Sequence, residues 1–150
     1  MKGSTSRGDE RNGRGDVRRE PATKARIPAQ RFEDLVAWQK ARLLTREIYA
    51  LTRTVVERRD RGLSDQMRRA SVSIMANLAE GFDRGGRGEF HQFVVIAKAS
   101  CAELKSHLYV ALDAGFVSNA AAAPLYDIID ELARILGGLR RALKAQRDSG

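Results

Sequence analysis

The stretch that decides the fold is LSDQMRRASVSIMANLAEGF, residues 63–82. Mostly apolar and small residues recur along it at alternating steps of four and three, which keeps them on one side of an α-helix. The spacing predicts a helix over residues 63–82, with Ser64 available as its N-cap and with Gly81 near its end as a stop signal. The spaced residues are Leu63, Met67, Ala70, Ile74, Asn77 and Gly81.

Two downstream stretches repeat this spacing. One helix is predicted to begin near Arg87, after the breaker Asp83-Arg84-Gly85-Gly86. Another is predicted to begin between Ser118 and Pro124, because proline suits the first turn of a helix and not its interior. The spaced residues are Phe90, Val94, Ala97, Cys101, Leu104, Leu108, Ala111 and Gly115 in the former, and Leu125, Ile129, Leu132, Leu136, Leu139 and Leu143 in the latter.

The first helix along the chain is predicted over residues 32–57. Its apolar residues come as adjacent pairs, which widen the apolar stripe and favour burial on two sides. These pairs are Leu35-Val36, Leu43-Leu44, Ile48-Tyr49 and Val55-Val56. No segment alternates at a period of two for long enough to form a strand. The predicted fold class is therefore all-α, an up-down antiparallel four-helix bundle.

The chain of 150 residues is basic, with 27 Lys and Arg against 19 Asp and Glu and a formal net charge of +8. Such a charge favours an acidic partner, most commonly a nucleic acid. Residues 1–31 hold nine Lys and Arg, four Asp and Glu and no aromatic residue. We therefore predict a disordered basic N-terminal arm over residues 1–31 and a four-helix bundle domain over residues 32–150.

Several classes of protein are excluded by composition. A single cysteine, Cys101, rules out a disulfide framework within the chain and the usual zinc patterns. No apolar run approaches the roughly 20 residues needed to span a bilayer. The N-terminus has no apolar segment of the kind found in secretory signals. These features predict a cytoplasmic protein with no membrane partner.

A polar stripe accompanies the core residues of the second helix. Its members fall within about 80° of one another on a helical wheel and flank the apolar face. The stripe is either a solvated helix edge or a buried polar seam between helices or subunits, in which Arg69 pairs with Glu80 or with another carboxylate. The residues of this polar seam are Gln66, Arg69, Ser73, Asn77 and Glu80.

The same residues carry a family resemblance. QMRRASVSIMANLAEGF, residues 66–82, resembles the signature Q-x-R-R-A-x-x-S-I-x-x-N-I-A-E-G-F of the four-helix bundle proteins first met in intervening sequences of bacterial 23S rRNA genes. The sequence departs from the family pattern at Ala99, where glycine is usual, and at residues 55–61, which replace a Phe-Pro-containing link. The resemblance covers residues 32–145 through Phe32–Ala41, Glu89-Phe90 with Phe93 and Ile96-Ala97, Ser100 with Glu103-Leu104, and Arg134–Leu139 with Leu143-Lys144.

The resemblance implies a closed homo-oligomeric ring, typically a pentamer, with a basic surface. Related bundle proteins serve as accessory subunits of diversity-generating reverse transcriptases. The excess apolar width of the first helix and the polar seam of the second agree with a chain that packs against copies of itself. A ring would also concentrate positive charge, and its attraction for polyanions would fall steeply with salt.

Three basic clusters are candidate contacts for nucleic-acid phosphates. No aromatic residue is interleaved with them, so base stacking and sequence-specific readout are not expected. The clusters are Arg58, Arg59 and Arg61 in the first connector, Arg84 and Arg87 in the second, and Arg140, Arg141 and Lys144 late in the fourth helix.

Enzymatic readings find little support. A di-metal bundle needs a Glu-x-x-His motif on two helices, whereas Glu103 and His107 stand four residues apart on a single helix. The glycine-rich stretch at residues 81–88 lacks the Lys-Ser/Thr of a phosphate-binding loop. Cys101 occupies a core position, where cysteine is most often inert. We expect no catalysis, no cofactor and no metal.

Two functions from different classes remain. The first is binding of nucleic acid, RNA in view of the resemblance, through the basic surface. The alternative is a protein-interaction scaffold or adaptor, such as an accessory subunit for a reverse transcriptase, in which the charge only aids solubility.

Overall fold

A computed structural model describes residues 28–149, and all the regular structure in that range is helical. A 3₁₀ turn, Phe32–Asp34, precedes α1 (Val36–Leu51), and a π-helical segment, Thr52–Val56, joins α1 to α2 (Glu57–Arg59). Together these form the first of four long helical stretches; the others are α3 (Arg61–Asp83), α4 (Arg87–Asp113) and α5 (Asn119–Asp148). The predicted all-α class is confirmed. The predicted arm of residues 1–31 lies outside the described residues, apart from residues 28–31.

The start of α3 is fixed by an aspartate that sequence analysis did not select. Asp60 breaks the helix at φ −151° and ψ 88°, and its Oδ1 accepts a hydrogen bond from the backbone N–H of Leu63 at 2.9 Å. An N-cap carboxylate of this kind satisfies a free N–H of the first turn. The prediction of Ser64 as the N-cap is wrong, because this residue lies inside α3 and is buried.

The end of α3 is set by a different glycine from the one predicted. Gly81 lies inside the helix and is buried, and α3 continues to Asp83. Gly85, in the connector, has φ +75°, a left-handed conformation that glycine adopts without a steric penalty. The prediction of Gly81 as a stop signal is therefore wrong.

The ends of the last two helices follow common capping rules. Gly115, predicted as a core position of α4, is exposed just beyond that helix at φ +77°. Its left-handed conformation lets the N–H of Phe116 reach the carbonyl of Ala111 at 3.0 Å. The helix α5 begins within the predicted window, where Ser118 Oγ accepts from the N–H of Ala121 at 3.1 Å.

The core is built from the residues of the 4-3 spacing. In α3 all six are buried except Asn77, which is half-buried, and in α5 all six are buried except Leu139, which is half-buried. In α4 the set is buried from Val94 to Ala111, with Phe90 half-buried against it. Burial of each Leu, Ile, Val or Met side chain in this set stabilises the fold by about 1.5–3 kcal/mol. The largest fully buried side chains are Leu44, Ile48, Met67, Ile74, Leu78, Leu104, Leu108, Ile129, Leu132 and Leu136.

Contacts between successive helices occur in reverse order along the chain. A later residue of one helix meets an earlier residue of the next. A salt bridge of 2.8 Å between Lys40 and Glu131 also brings α1 against α5. The paired residues are Thr45–Ser71 and Thr52–Arg68 between the first helical stretch and α3, Ser73–Ser100 and Gly81–Phe93 between α3 and α4, and Lys105–Asp130 and Tyr109–Tyr126 between α4 and α5.

The π-helical segment is held by an arginine of α3. Thr52 is buried, and its hydroxyl donates to the carbonyl of Ile48 at 2.7 Å while it accepts from Arg68 Nε at 2.9 Å. The same guanidinium lies 4.9 Å from the centre of the Tyr49 ring and 3.3 Å from Glu57 Oε2. Arg68 therefore has its partners within the protomer.

The apolar pairs of the first helix divide between two environments. Leu44, Ile48 and Val56 are buried in the core. Their neighbours Leu43, Tyr49 and Val55 are each between 37% and 39% exposed. Burial on two sides, which the pairs predict, is not provided by the protomer itself. Separately, none of the helices in residues 28–149 has the length and apolar character that crossing a bilayer requires.

Gly81 provides a test of helix packing. A Cβ at this position would lie 2.5 Å from Phe93 Cβ and 3.1 Å from Phe90 Cδ2, so α3 and α4 could not keep their present separation. We expect Gly81→Ala to lower the free energy of unfolding by about 1–3 kcal/mol, although alanine is favoured over glycine in a helix by about 1 kcal/mol. Chemical denaturation measures this difference.

The matched control is Gly88→Ala, because a Cβ there would have Arg147 Cδ as its nearest neighbour, at 3.9 Å. We expect the control to be neutral or stabilising. Equal stability of the two variants would contradict the close approach at Gly81.

Candidate nucleic-acid interface

The polar seam of α3 is only partly buried. Asn77 Nδ2 donates to the Ser73 carbonyl at 2.8 Å and to Ser73 Oγ at 3.0 Å. Ser73 Oγ and Ser100 Oγ lie 2.9 Å apart, which links the seam to α4. Gln66, at the start of the seam, is exposed. Within the protomer the seam is thus a small network of hydroxyl and amide groups between two helices.

The two charged members of the seam do not pair with each other. Glu80 Oε1 lies 3.0 Å from Arg84 Nη2, one turn further along the chain. Arg69 and Glu80 are eleven residues apart on one helix, about 16 Å along its axis. The predicted Arg69–Glu80 pair is therefore wrong within the protomer. Both side chains are exposed, and no carboxylate in residues 28–149 lies within 4.0 Å of Arg69.

Arg69 instead faces a groove between α1 and α3. Two adjoining depressions of about 540 and 450 Å³ share Tyr49 and Val72 in their walls. Arg42 and Arg46 of α1 line one depression, and Arg69 lines the other. Sequence analysis missed this combination of arginines with an aromatic ring. The signal was local, since Arg42, Arg46 and Tyr49 follow the 4-3 spacing on one side of α1.

The first predicted basic cluster lies where α2 meets α3. Arg58, Arg59 and Arg61 are all exposed, and Arg58 Nε donates to the backbone carbonyl of Thr54 at 3.0 Å. Two acids, Glu57 and Asp60, are interspersed with these arginines. The cluster is about 34 Å from the other connector, because the 23 residues of α3 rise 1.5 Å each.

The two arginines of the second predicted cluster differ: Arg84 is paired with acids, whereas no carboxylate in residues 28–149 lies within 4.0 Å of Arg87. Arg84 lies 3.0 Å from Glu80 and 3.8 Å from Glu89, and its guanidinium stands 5.1 Å from the centre of the Phe93 ring. Arg87 is exposed and lines a depression together with the C-terminal part of α5, including Gln146. The structure thus brings Arg87 beside the C-terminal end of α5, while Arg84 is paired with acids.

The third predicted cluster belongs to a longer basic surface. Residues 134–147 contain five Lys and Arg and no Asp or Glu, and all five are exposed. Their positions fall within about 140° on a helical wheel. We call this surface the α5 basic face; its residues are Arg134, Arg140, Arg141, Lys144 and Arg147.

A cation of α4 extends the α5 basic face. Lys98 lines a groove of about 400 Å³ between α4 and α5, together with Ala133, Arg134, Gly137 and Arg141. Lys98 and Arg134 were missed by sequence analysis. Pairing of one helix with another is not visible in local spacing, and the only local signal was the pair of glycines, 137 and 138, inside a helix.

The groups considered for catalysis are occupied or buried. Burial raises the pKa of the Cys101 thiol to about 12, so the thiol stays protonated at neutral pH. His107 Nε2 lies 3.3 Å from Glu103 Oε1. Within the part of the chain that the structure describes, no group of three or more His, Cys, Asp or Glu side chains is placed to hold a metal ion.

The fold and these surfaces define a small all-α protein of four long helices with a strongly cationic helix face. The sequence profile of the 23S rRNA-intervening sequence proteins matches residues 33–138, and the chain belongs to that family. The match ends at Gly138, so most of the α5 basic face follows it. No curated protein matches the chain.

The exposure of the charged seam residues leads to a stability prediction. We expect Arg69→Ala and Glu80→Ala each to change the free energy of unfolding by less than about 1 kcal/mol, as for other exposed ion pairs and charges. Ser100→Ala should cost about 1 kcal/mol, because it removes the hydroxyl partner of Ser73. Urea denaturation of the three variants measures these changes in the free energy of unfolding. A loss of several kcal/mol in Arg69→Ala, together with dissociation of an assembly, would show that the seam is buried against a second copy.

Proposed function

We propose that this protein is a non-enzymatic, homo-oligomeric RNA-binding protein that contacts the RNA backbone through the α5 basic face. One observation carries the proposal: residues 134–147 present five exposed cations and no acid. Membership of a family named for intervening sequences of 23S rRNA supports RNA as the polyanion.

Stabilisation of the helix does not explain the five cations of the α5 basic face. Lys and Arg near a helix C-terminus interact favourably with the helix dipole, but this effect fades within the last turn. The α5 basic face spans 14 residues, which is almost four turns. Arg134 and Arg140 lie too far from the end at Asp148 for the dipole to account for them.

The cations of this face are also largely uncompensated. Arg147 lies 3.4 Å from Asp148, whereas no carboxylate of residues 28–149 lies within 4.0 Å of Arg134, Arg140, Arg141 or Lys144. Arg68 and Arg84, by contrast, each have an acid and an aromatic ring as partners. Unpaired exposed cations retain their full attraction for phosphates.

The chemistry of the face favours backbone contacts over base recognition. Residues 134–147 contain no aromatic side chain on which a base could stack. Arginine and lysine contacts to phosphate position a nucleic acid without reading its sequence. We therefore propose binding that depends strongly on salt and weakly on RNA sequence.

We further propose that the helices form an up-down antiparallel bundle and that copies of it assemble into a closed ring, a pentamer as in the family pattern. Exposed apolar residues on two helices support an assembly. On α1 these are Val36, Leu43 and Tyr49, and on α4 they are Val95, Ile96, Tyr109 and Val110, each between 38% and 50% exposed. A helix with apolar residues on all sides is normally buried.

The exposed apolar residues of α4 also support the alternative function. A surface with Val95, Ile96 and Val110 suits a protein partner, as expected for a scaffold or an accessory subunit of an enzyme such as a reverse transcriptase. In that case the partner protein would bind α4 and the basic charge would not be needed for binding.

The RNA proposal predicts a specific salt dependence. Fluorescence anisotropy with a short single-stranded RNA should show binding at 50 mM salt that weakens steeply by 200 mM. We expect Arg140→Ala combined with Lys144→Ala to weaken binding and to reduce the slope of log K against log salt by about 1.4, that is, about 0.7 for each lost phosphate contact.

The matched control is Arg59→Ala combined with Arg61→Ala, which removes the same charge from the junction of α2 and α3. We expect this control to keep the wild-type slope. Equal losses in both double variants would contradict the α5 basic face as the contact surface. Absence of wild-type binding at 50 mM salt would overturn the RNA proposal itself.

The assembly proposal predicts a pentamer in native mass spectrometry of the full chain. Ile96→Lys combined with Val110→Lys should release smaller species, because an ammonium placed in an apolar contact loses its hydration. The control is Ala123→Lys, at an exposed position on α5. A particle of 16.6 kDa at every concentration tested would contradict the ring.

A further inference from the structure

Gly137 lies at the floor of the groove between α4 and α5. The residue is buried, yet a Cβ added to it would meet only two atoms within 4 Å: Arg141 Nη1 at 3.5 Å and Lys98 Nζ at 3.6 Å. Both atoms are the ends of flexible side chains. Gly137 is therefore not required for the approach of the two helices, in contrast to Gly81, where a Cβ would meet Phe93 Cβ at 2.5 Å.

The two cationic ends converge over this glycine. Since both nitrogens lie close to the same point, Lys98 Nζ and Arg141 Nη1 are no more than about 7 Å apart. Two like charges at this distance repel each other, and within residues 28–149 no carboxylate lies within 4.0 Å of either one. Arg134 lines the same groove and adds a third cation.

The sequence of α5 is unfavourable to the helix at the same place. Gly137 and Gly138 are consecutive in the interior of α5, where glycine is among the least favourable residues. Packing does not require a glycine at position 137, because a Cβ there would make only ordinary contacts with the ends of two flexible side chains. The absent side chain leaves a gap between two cations, and a small anion would fill that gap and remove their repulsion.

We propose that this groove binds a single phosphate group, held by the Lys98 ammonium and the Arg141 guanidinium over Gly137, with Arg134 at its rim. The inference rests on the proposed function, because it assigns the site to one backbone phosphate of the RNA that follows the α5 basic face. The bound group is a phosphate dianion or diester oxygen pair, for which an arginine fork and a lysine point charge are the usual protein partners.

The test uses two glycine variants that leave the charge of the protein unchanged. Gly137→Ala places a methyl group within 3.6 Å of both nitrogens, in the space proposed for the anion. Gly138→Ala, the matched control, has Arg141 Nη2 as its nearest neighbour, at 3.9 Å, and leaves the gap open. Both should raise the melting temperature by a few degrees in chloride, because alanine is favoured over glycine in a helix.

Two measurements then test the phosphate site separately from the proposed RNA binding. In the first, inorganic phosphate is compared with chloride at equal ionic strength by thermal unfolding. We expect the wild-type protein and Gly138→Ala to gain stability from phosphate, and Gly137→Ala and the Lys98→Ala/Arg141→Ala double variant to lose that gain. In the second, RNA anisotropy should show about threefold to tenfold weaker binding for Gly137→Ala than for Gly138→Ala at 50 mM salt.

The outcomes are distinct. If RNA binding is equal in the two glycine variants and phosphate stabilises both equally, the site is overturned while the RNA proposal stands. If the phosphate effect depends on Gly137 but no RNA binds, the anion site stands and the proposed function fails. If Lys98→Ala/Arg141→Ala instead dissociates the assembly without a phosphate effect, a carboxylate of another protein copy fills the groove and the phosphate proposal is overturned.

Discussion

The close packing of α3 against its neighbours constrains the rest of the structure. On the α4 side, Gly81 leaves room for Phe93, and small residues such as Ala70 and Ser73 let the helix axes approach. On the other side, the Ser71 carbonyl accepts a hydrogen bond from Thr45 of α1, and Arg68 donates one to Thr52 in the π-helical segment. The position of α3 then determines where α4 packs, and the position of α4 determines where α5 packs. The grooves between the helices therefore result from this packing, and the residues that line a groove do not create it.

This packing also divides the cations by whether acids lie near them. Arg68 and Arg84 extend from α3 toward acids and aromatic rings of neighbouring segments and stabilise the fold locally. The cations of the α5 basic face lie on the outer side of a helix whose apolar residues already fill the core. Because the structure gives most of them no carboxylate, their charge remains available to a polyanion.

Sequence patterns were sufficient for the helices and for most of the core. The 4-3 spacing selects Met67, Ile74, Leu104 and Leu132, all fully buried, because helix periodicity and burial are properties of one segment at a time. Helix ends were less predictable: Ser64 and Asp60 are both good N-cap residues, and the choice depends on where the preceding helix breaks. The exposed half of each apolar pair in α1 shows a further limit, since a local pattern indicates that a second apolar face exists but not what covers it.

The candidate site shows most clearly what local patterns omit. Lys98 and Arg141 are 43 residues apart in sequence, and only the register of α4 against α5 brings their charges over Gly137. Gly81 and Gly137 are both buried glycines inside helices, and of the two only Gly81 belongs to the 4-3 spacing. The atoms around each position show the physical difference: carbon atoms of Phe93 and Phe90 lie at Gly81, whereas two cationic nitrogens lie at Gly137. A glycine that admits a neighbouring ring is explained by the packing it permits. Packing does not require the glycine at position 137, and the phosphate that we propose there would account for it.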